Sequence, residues 1–132
     1  MPDQAEDSGV IRLPSVHGVS ETLDRLERLL AEHGIKVFAR LDFCGDAARA
    51  GLTMRPEQLL IFGNPKAGTA LMVAEPTAGI DLPLKALAYQ DTEGRTWLAY
   101  NAPGHVLQRH GLAEAFGLVL GAPIPLMELA TR

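Results

Sequence analysis

Residues 59–72 read Leu-Leu-Ile-Phe-Gly-Asn-Pro-Lys-Ala-Gly-Thr-Ala-Leu-Met, and this stretch predicts a strand that leads directly into a helix. The four apolar residues at its start are typical of a strand that is covered on both faces. Asn64 suits the N-cap of the helix, because its side-chain oxygen can accept a hydrogen bond from an amide of the first turn. Pro65 fits the first helical position, where its missing N–H costs nothing. Pro76 ends the predicted helix.

Two residues near the start of this helix indicate a ligand. Gly68 costs roughly 1 kcal/mol relative to alanine in a helix, and it would let a ligand or another backbone come close. Lys66 places a cation in the first turn, where the helix dipole disfavours it unless an anion binds there. The alternative, which is the commoner outcome for a lone motif, is that Lys66 points into water and Gly68 packs against a neighbouring element.

We therefore predict a ligand site at the Gly63–Gly68 loop. The predicted ligand-binding residues are Asn64, Lys66, Gly68, Thr69, Asp81 and Lys85, with Arg40 as a further candidate. Lys85 falls in an otherwise apolar strand, where a buried lysine would need Asp81, Asp42 or an anion as its partner. Alternatively, its side chain extends to water. His110 and Asn101 would stand at the rim of the same cleft.

The sequence gives no catalytic set. His105 and His110 are five residues apart, so they would lie on different faces of one helix and would not chelate a metal. We expect no metal and no cofactor. Cys44 is the single cysteine, and a structural role is much commoner for a free cysteine than that of a nucleophile. A serine hydrolase would need a Gly-x-Ser-x-Gly turn, which the sequence does not contain.

The segments around the loop predict helices that interrupt strands. Leucines 23, 26, 29 and 30 form the stripe of an amphipathic helix that Ser20 caps and Gly34 ends. Residues 35–43 alternate, which predicts that Ile35, Val37, Ala39, Leu41 and Phe43 share the face toward this helix. Residues 83–90 and 95–101 flank a turn at 91–94 and predict a hairpin. This order favours an α+β fold over a doubly wound parallel sheet. We expect a mixed, mainly antiparallel sheet with helices packed mostly on one face.

The two ends of the chain differ in character. Residues 1–8 are polar and acidic and predict a disordered tail, whereas residues 9–132 predict a single domain, with an edge strand at 9–14 that Pro14 ends. Residues 112–120 predict one more helix. Gly121, Pro123 and Pro125 argue against a regular continuation. The apolar residues between 119 and 129 either fold onto this subunit or cover a partner.

Composition excludes several classes of protein. The chain has 132 residues, 47% of them hydrophobic, and a formal net charge of −4, so a folded core is expected and a disordered protein is not. The sequence has no block of basic residues, so it does not predict nucleic-acid binding. No apolar run is long enough to cross a bilayer, and no signal peptide is evident. We expect a cytoplasmic protein with no membrane or nucleic-acid partner.

Several motifs together resemble the DUF302 family. They lie at residues 62–69, 81–87, 97–101 and 109–112, and two upstream segments, 20–22 and 34–42, also fit the family pattern. The resemblance covers roughly residues 9–112. It implies a two-layer α+β domain and a homodimer. It implies no activity, because the family is named for its lack of an assigned function.

Two functional hypotheses follow. The first is a homodimeric module that binds a small ligand, either anionic or of mixed polarity, or a protein partner. The second is a small enzyme that uses Lys85 or His110 as its acid or base near the Gly63–Gly68 loop. We prefer the first, because no catalytic pair is visible and the fold alone supplies no chemistry.

Overall fold

The part of the chain that the structure describes contains six strands, which are β1 (Asp3–Ala5), β2 (Val10–Ser15), β3 (Lys36–Asp42), β4 (Glu57–Gly63), β5 (Leu84–Gln90) and β6 (Thr96–Asn101). They form one sheet in the order β1-β2-β6-β5-β4-β3. The structure is a computed structural model that describes residues 3–5 and 8–132. Every strand pairing within these residues is antiparallel, where the sequence predicted a mixed, mainly antiparallel sheet.

The helices lie mostly on one face of this sheet, so the predicted two-layer α+β fold is confirmed. They are α1 (Val19–Glu32), α2 (Phe43–Arg49), α3 (Pro65–Ala74), α4 (Pro103–His110), α5 (Gly117–Gly121) and α6 (Ile124–Ala130). The described residues also form two 3-10 helices: Pro76–Asp81 lies between α3 and β5, and Glu114–Phe116 lies between α4 and α5. The second of these and the short α5 take the place of the single helix predicted for residues 112–120.

The leucine stripe of α1 forms the centre of the main core. Leu23, Leu26 and Leu30 are fully buried in one cluster with Leu60 and Phe62 of β4. The predicted cap is wrong, because α1 begins earlier and its N-cap is Gly18. Ser20 therefore lies within the first turn.

A β-bulge changes the pattern predicted for β3. Val37 pairs with Phe62 and Ala39 pairs with Ile61, so Phe38 is an extra residue between the two pairs. Beyond the bulge the alternation reverses. Arg40 therefore faces α1, where it donates to Asp24 at 2.7 Å, and Leu41 is 39% exposed instead of buried beneath the helix. The prediction that Ala39 and Leu41 share the inner face is wrong for this reason, because they pair with Ile61 and Leu59, whose side chains lie on the face opposite α1.

The C-terminal segment folds onto its own subunit. Leu126, Met127 and Ala130 of α6 are buried in the same core as α1. The sequence argued against a regular helix here, but Pro123 is the N-cap of α6 and Pro125 lies in its first turn. Proline is tolerated at these positions because the amides there have no partner within the helix.

The N-terminal region also differs from prediction. Asp3–Ala5 pairs with β2, although residues 1–8 were predicted to be a disordered tail; residues 1, 2, 6 and 7 lie outside the described residues. A short extended segment can add to a sheet through its backbone alone, so its side chains carry little signal. Consequently β2 is an inner strand. Pro14 does not end it, because Pro14 pairs with Trp97 and the strand continues to Ser15.

A second, smaller core lies at one end of the sheet. Its buried members, one from each of four short helical elements, are Leu71, Ala78, Val106 and Leu120. This cluster holds α3 and α5 together next to the point where β4 ends. It builds the walls of the candidate site.

The sheet face opposite α1 carries large side chains that neither core contains. Leu59, Ile61, Leu87 and Trp97 are half-buried, and each alternates along its strand with a residue that faces α1. This open face is defined by those four residues.

Candidate functional site

A cavity of about 570 Å³ lies beside the joint between β4 and α3. Its walls come from the end of β4, one side of α3, residues 82–84 that lead into β5, and residues 118–123 in and after α5. Small-molecule sites occupy roughly 300–1,000 Å³, so the cavity has the size of a ligand site.

The joint has the local structure that the sequence predicted. The Oδ1 atom of Asn64 accepts a hydrogen bond from the amide of Lys66 at 3.0 Å, and Pro65 opens the helix. Pro65, Gly68, Thr69 and Met72 follow the spacing of one helix face, and all four line the cavity. A Cβ atom added at Gly68 would have no heavy atom within 4 Å. The glycine therefore leaves space at the cavity wall.

The lining of the cavity is mostly apolar. Of the described residues that line it, only Asn64 and Thr69 have polar side chains, and none is charged. The Thr69 hydroxyl donates to the carbonyl of Pro65 at 2.7 Å, and Asn64 caps the helix. Both polar side chains are thus fixed by local hydrogen bonds at the start of α3.

The six predicted ligand-binding residues fall into three places. Asn64, Gly68 and Thr69 line the cavity, whereas Lys66 is exposed and is not part of its lining. Asp81 and Lys85 line a separate crevice of about 20 Å³ together with Asn101, which is about the volume of one water molecule. The structure does not bring all six together.

Lys85 and Arg40 have partners of their own. The Nζ atom of Lys85 donates to the carbonyl of Pro83 at 2.9 Å. Arg40 lies on the α1 side of the sheet, where it binds Asp24 and Gln58. Tyr100 also lines the small crevice, and burial together with the nearby Glu128 carboxylate raises the pKa of its phenol.

His110 is bound on both ring nitrogens. Its Nε2 atom lies 2.5 Å from Oδ2 of Asp81, and its Nδ1 atom lies 2.9 Å from Oγ1 of Thr77. The side chain is only 4% exposed, and Asp81 also binds Arg109. Both ring nitrogens are thus engaged, and His110 lines neither the cavity nor the small crevice. The arrangement ties α4 to the 3-10 helix Pro76–Asp81 and indicates a structural role.

Other candidates for chemistry have local partners. Cys44 donates to the carbonyl of Met54 at 3.3 Å. Within residues 3–5 and 8–132, no three side chains of the types His, Cys, Asp or Glu group as a metal site would require. The helices in this described part of the chain are all too short or too polar to span a bilayer.

The sequence missed several residues of the cavity wall. Phe38 reaches the cavity because the β-bulge interrupts the alternation of β3. Leu118 fell in the helix predicted for residues 112–120, and Val119 and Leu120 fell in the apolar segment between 119 and 129; neither prediction placed them beside α3. The apolar character of this segment was the available signal, but no local pattern shows that it reaches α3.

The antiparallel sheet with helices on one face makes this protein a small α+β domain. Its ligand-sized cavity lies at a strand-to-helix joint. The chain belongs to the DUF302 family, described as a domain of unknown function, whose family model matches residues 11–120. The crystal structure of an uncharacterized conserved DUF302 protein from Bacillus stearothermophilus has the same fold. It aligns with a TM-score of 0.76 over 93% of this chain and 95% of that chain, at 20% identity.

Relatives with higher identity carry a different kind of name. The chain is 41% identical over 118 residues to a protein of Brucella suis biovar 1 named "Fluoride-specific ion channel FluC 1". The aligned region covers 89% of this chain and 46% of that protein. A protein of Brucella melitensis biotype 1 named "Fluoride-specific ion channel FluC 2" matches at the same identity, with 89% and 44% covered. The chain thus spans less than half the length of these relatives.

Proposed function

We propose that this chain is a homodimeric binding module that holds a small ligand in the cavity beside the β4–α3 joint. The observation that carries the proposal is the cavity of about 570 Å³, with Gly68 at its wall. Its apolar lining supports a ligand of mixed polarity more than a bare anion. Lys66, the predicted anion partner, stands outside the lining.

The open face supports the homodimer, with a second copy of this chain as its occupant. Half-buried apolar side chains on three adjacent strands would be covered if two such faces met. The family resemblance implies the same oligomeric state. The mass of the protein in solution tests this part, and a monomer at micromolar concentration would contradict it.

Backbone amide NMR with a library of small molecules tests the ligand part. We expect some compounds to shift the amide signals of residues 63–72 and 118–123. A library that shifts none of them, or shifts only the open face, would contradict the proposed site. Titration of inorganic phosphate against wild type and Lys66→Ala tests the anion alternative. Equally weak binding by both proteins removes that alternative.

A second candidate function is a protein-interaction module that works with a fluoride channel. The names of the Brucella relatives favour it, because in those proteins the matched region is under half of a chain named as a fluoride-specific ion channel. The test is fluoride efflux from liposomes containing a fluoride channel, with and without this protein. An unchanged efflux rate and no co-elution with the channel would exclude the interaction.

The enzyme alternative, with Lys85 or His110 as acid or base, has less support. Lys85 donates to Pro83, and both ring nitrogens of His110 are engaged away from the cavity. An acid or base must come within hydrogen-bond reach of the substrate. Neither residue lines the cavity, so we rank the binding module first.

A further inference from the structure

We infer that the ligand of the cavity is an uncharged molecule with an apolar body and one hydroxyl group, which is the chemistry of a medium-chain alcohol. This inference rests on the proposed function and adds the class of ligand. It is carried by the hydrogen-bonding states of Asn64 and Thr69 and by the absence of charge among the described lining residues.

The lining disfavours a charged ligand. An ion that leaves water for an apolar site needs a charged partner or several hydrogen bonds in exchange. Within the described lining no side chain carries a charge. Lys36, Lys66 and Lys85 each follow or precede a lining residue in the chain, but none of the three belongs to the described lining. The Lys36 ammonium lies 5.2 Å from the ring centroid of Phe38, on an exposed part of β3. A carboxylate or phosphate inside the cavity would therefore have no charged side chain of the described lining as its partner.

The two polar side chains select a group that both donates and accepts. The Oδ1 atom of Asn64 is taken by the Lys66 amide, so the NH₂ group of the same side chain is the part that can donate to a ligand. The hydroxyl proton of Thr69 is committed to the Pro65 carbonyl, so the Thr69 oxygen is left as an acceptor. A ligand hydroxyl accepts from Asn64 and donates to Thr69. An ionised carboxylate has no proton to offer Thr69.

The remaining wall suits an apolar body. Phe38, Met72 and Leu118 line the cavity, and each is at least 40% exposed in the free protein. A bound hydrocarbon chain would remove these surfaces from water, which is the main favourable term in apolar binding. The cavity is concave on the β4, α3 and α5 sides, so a small molecule fits it better than a flat protein surface does.

Gly68 allows the site to be blocked with little disturbance of the fold. A side chain added there meets no protein atom at its Cβ position and extends from the cavity-lining face of α3. Gly104 in α4 offers a matched control. A Cβ atom there also has open space, and Gly104 does not line the cavity. Gly68→Leu and Gly104→Leu therefore differ in whether they fill the site.

The test is calorimetric titration of 1-octanol, octanoate and inorganic phosphate at neutral pH into wild type and both leucine variants. We expect wild type to bind 1-octanol at least about tenfold more tightly than octanoate, which has the same number of carbon atoms but a charged head. Phosphate should show no binding above background. Gly68→Leu should weaken octanol binding by about tenfold or more, and Gly104→Leu should leave it unchanged, with circular dichroism showing both variants folded.

Thr69→Val separates the hydroxyl contact from general apolar binding. It keeps the shape of the side chain and removes the acceptor, so the preference for octanol over octanoate should shrink. If octanoate binds more tightly than octanol and Gly68→Leu blocks it, the inference is overturned while the proposed site stands. If Gly68→Leu leaves the affinity for octanol unchanged, or if no octanol binding is detected, the inference is also overturned. The NMR library then decides whether the cavity binds any ligand.

Discussion

The backbone amide of Lys66 donates a hydrogen bond to the side chain of Asn64 at 3.0 Å. The start of α3 is therefore capped from within the chain, and one of the amides that an anion would have used is already occupied. The helix begins where the sequence predicted, with Asn64 as its cap. Lys66 is exposed and lies outside the cavity lining.

Replacing Asn64 by alanine removes this cap. We expect Asn64→Ala to lower the free energy of unfolding by about 1 kcal/mol, the usual effect of losing an N-cap. Denaturant unfolding followed by circular dichroism measures the change. Asn64→Asp is the control, because it keeps an acceptor oxygen and adds a charge that the helix dipole favours. Equal stability of the alanine variant and wild type would show that the cap contributes nothing.

Gly68→Ala should stabilise the free protein. The added methyl group meets open space, and alanine is favoured over glycine within a helix by up to about 1 kcal/mol. The melting temperature without ligand should rise. Gly9→Ala is the contrast, because Gly9 has a φ of 73° and its Cβ would clash with the ring of His105. A lower melting temperature for Gly68→Ala would mean that α3 packs more tightly there than described.

The hairpin between β5 and β6 carries a pH-dependent contact. Asp91 accepts a hydrogen bond from Trp97 Nε1 at 2.9 Å and others from the amides of Arg95 and Glu93, which together hold the pKa of its carboxyl below the ordinary value. The Asp91 carboxyl therefore binds its proton less tightly in the folded state than in the unfolded state. The contribution of these hydrogen bonds to stability is fully present above the pKa that Asp91 has in the unfolded state. It is lost as pH falls through the lower pKa that Asp91 has in the folded state.

Unfolding measured between about pH 6 and pH 2.5 tests this contact. We expect the wild-type free energy of unfolding to fall in acid more steeply than that of Asp91→Asn, which cannot titrate at this position. Trp97 fluorescence reports the same transition directly. Parallel curves for the two proteins would contradict the assignment.

His110 and Asp81 should stabilise the fold as a pair. His110→Ala removes the nearly buried ring that binds the Asp81 carboxylate and leaves Arg109 as the partner of Asp81. We expect a loss of about 1–3 kcal/mol in the free energy of unfolding, typical of a lost hydrogen bond to a charged group. A double-mutant cycle with Asp81→Asn measures the coupling between the two. Additive effects would show that the contact is not energetically important.

The open face provides a test of the proposed homodimer. Leu87→Glu places a charge among half-buried apolar side chains and should give a monomer of unchanged fold. Val16→Glu is the control, because Val16 is 79% exposed and lies outside the open face. Sedimentation equilibrium measures both masses. A Leu87→Glu dimer with the wild-type dissociation constant would place the interface elsewhere.

Local patterns predicted the elements that depend on local physics. The leucine stripe of α1, the cap at Asn64 and the turn at Gly94, whose φ is 83°, all follow from spacing or backbone preference. The order of the predicted elements favoured an α+β fold, and the family resemblance implied the same class. For the stripe, the cap and the turn, the deciding interactions lie within a few residues of the chain.

The predictions that were wrong depend on contacts between segments that lie far apart in the chain. The bulge at Phe38 depends on how β3 pairs with β4, and the pairing of Asp3–Ala5 depends on a strand edge that its own side chains do not reveal. The cavity joins residues 35–38 to residues 118–123, which no local pattern connects. Gly68 could be identified as a possible site of close approach, but the apolar wall opposite it could not.

The most direct measurement is a crystal structure of the protein purified from cells under conditions that keep bound molecules in place. The account predicts elongated density in the cavity between Gly68 and Leu118, with one polar atom within hydrogen-bond distance of Asn64 and Thr69. Density beside the Lys66 ammonium, with the cavity filled by side chains of this chain or its neighbour, would contradict it.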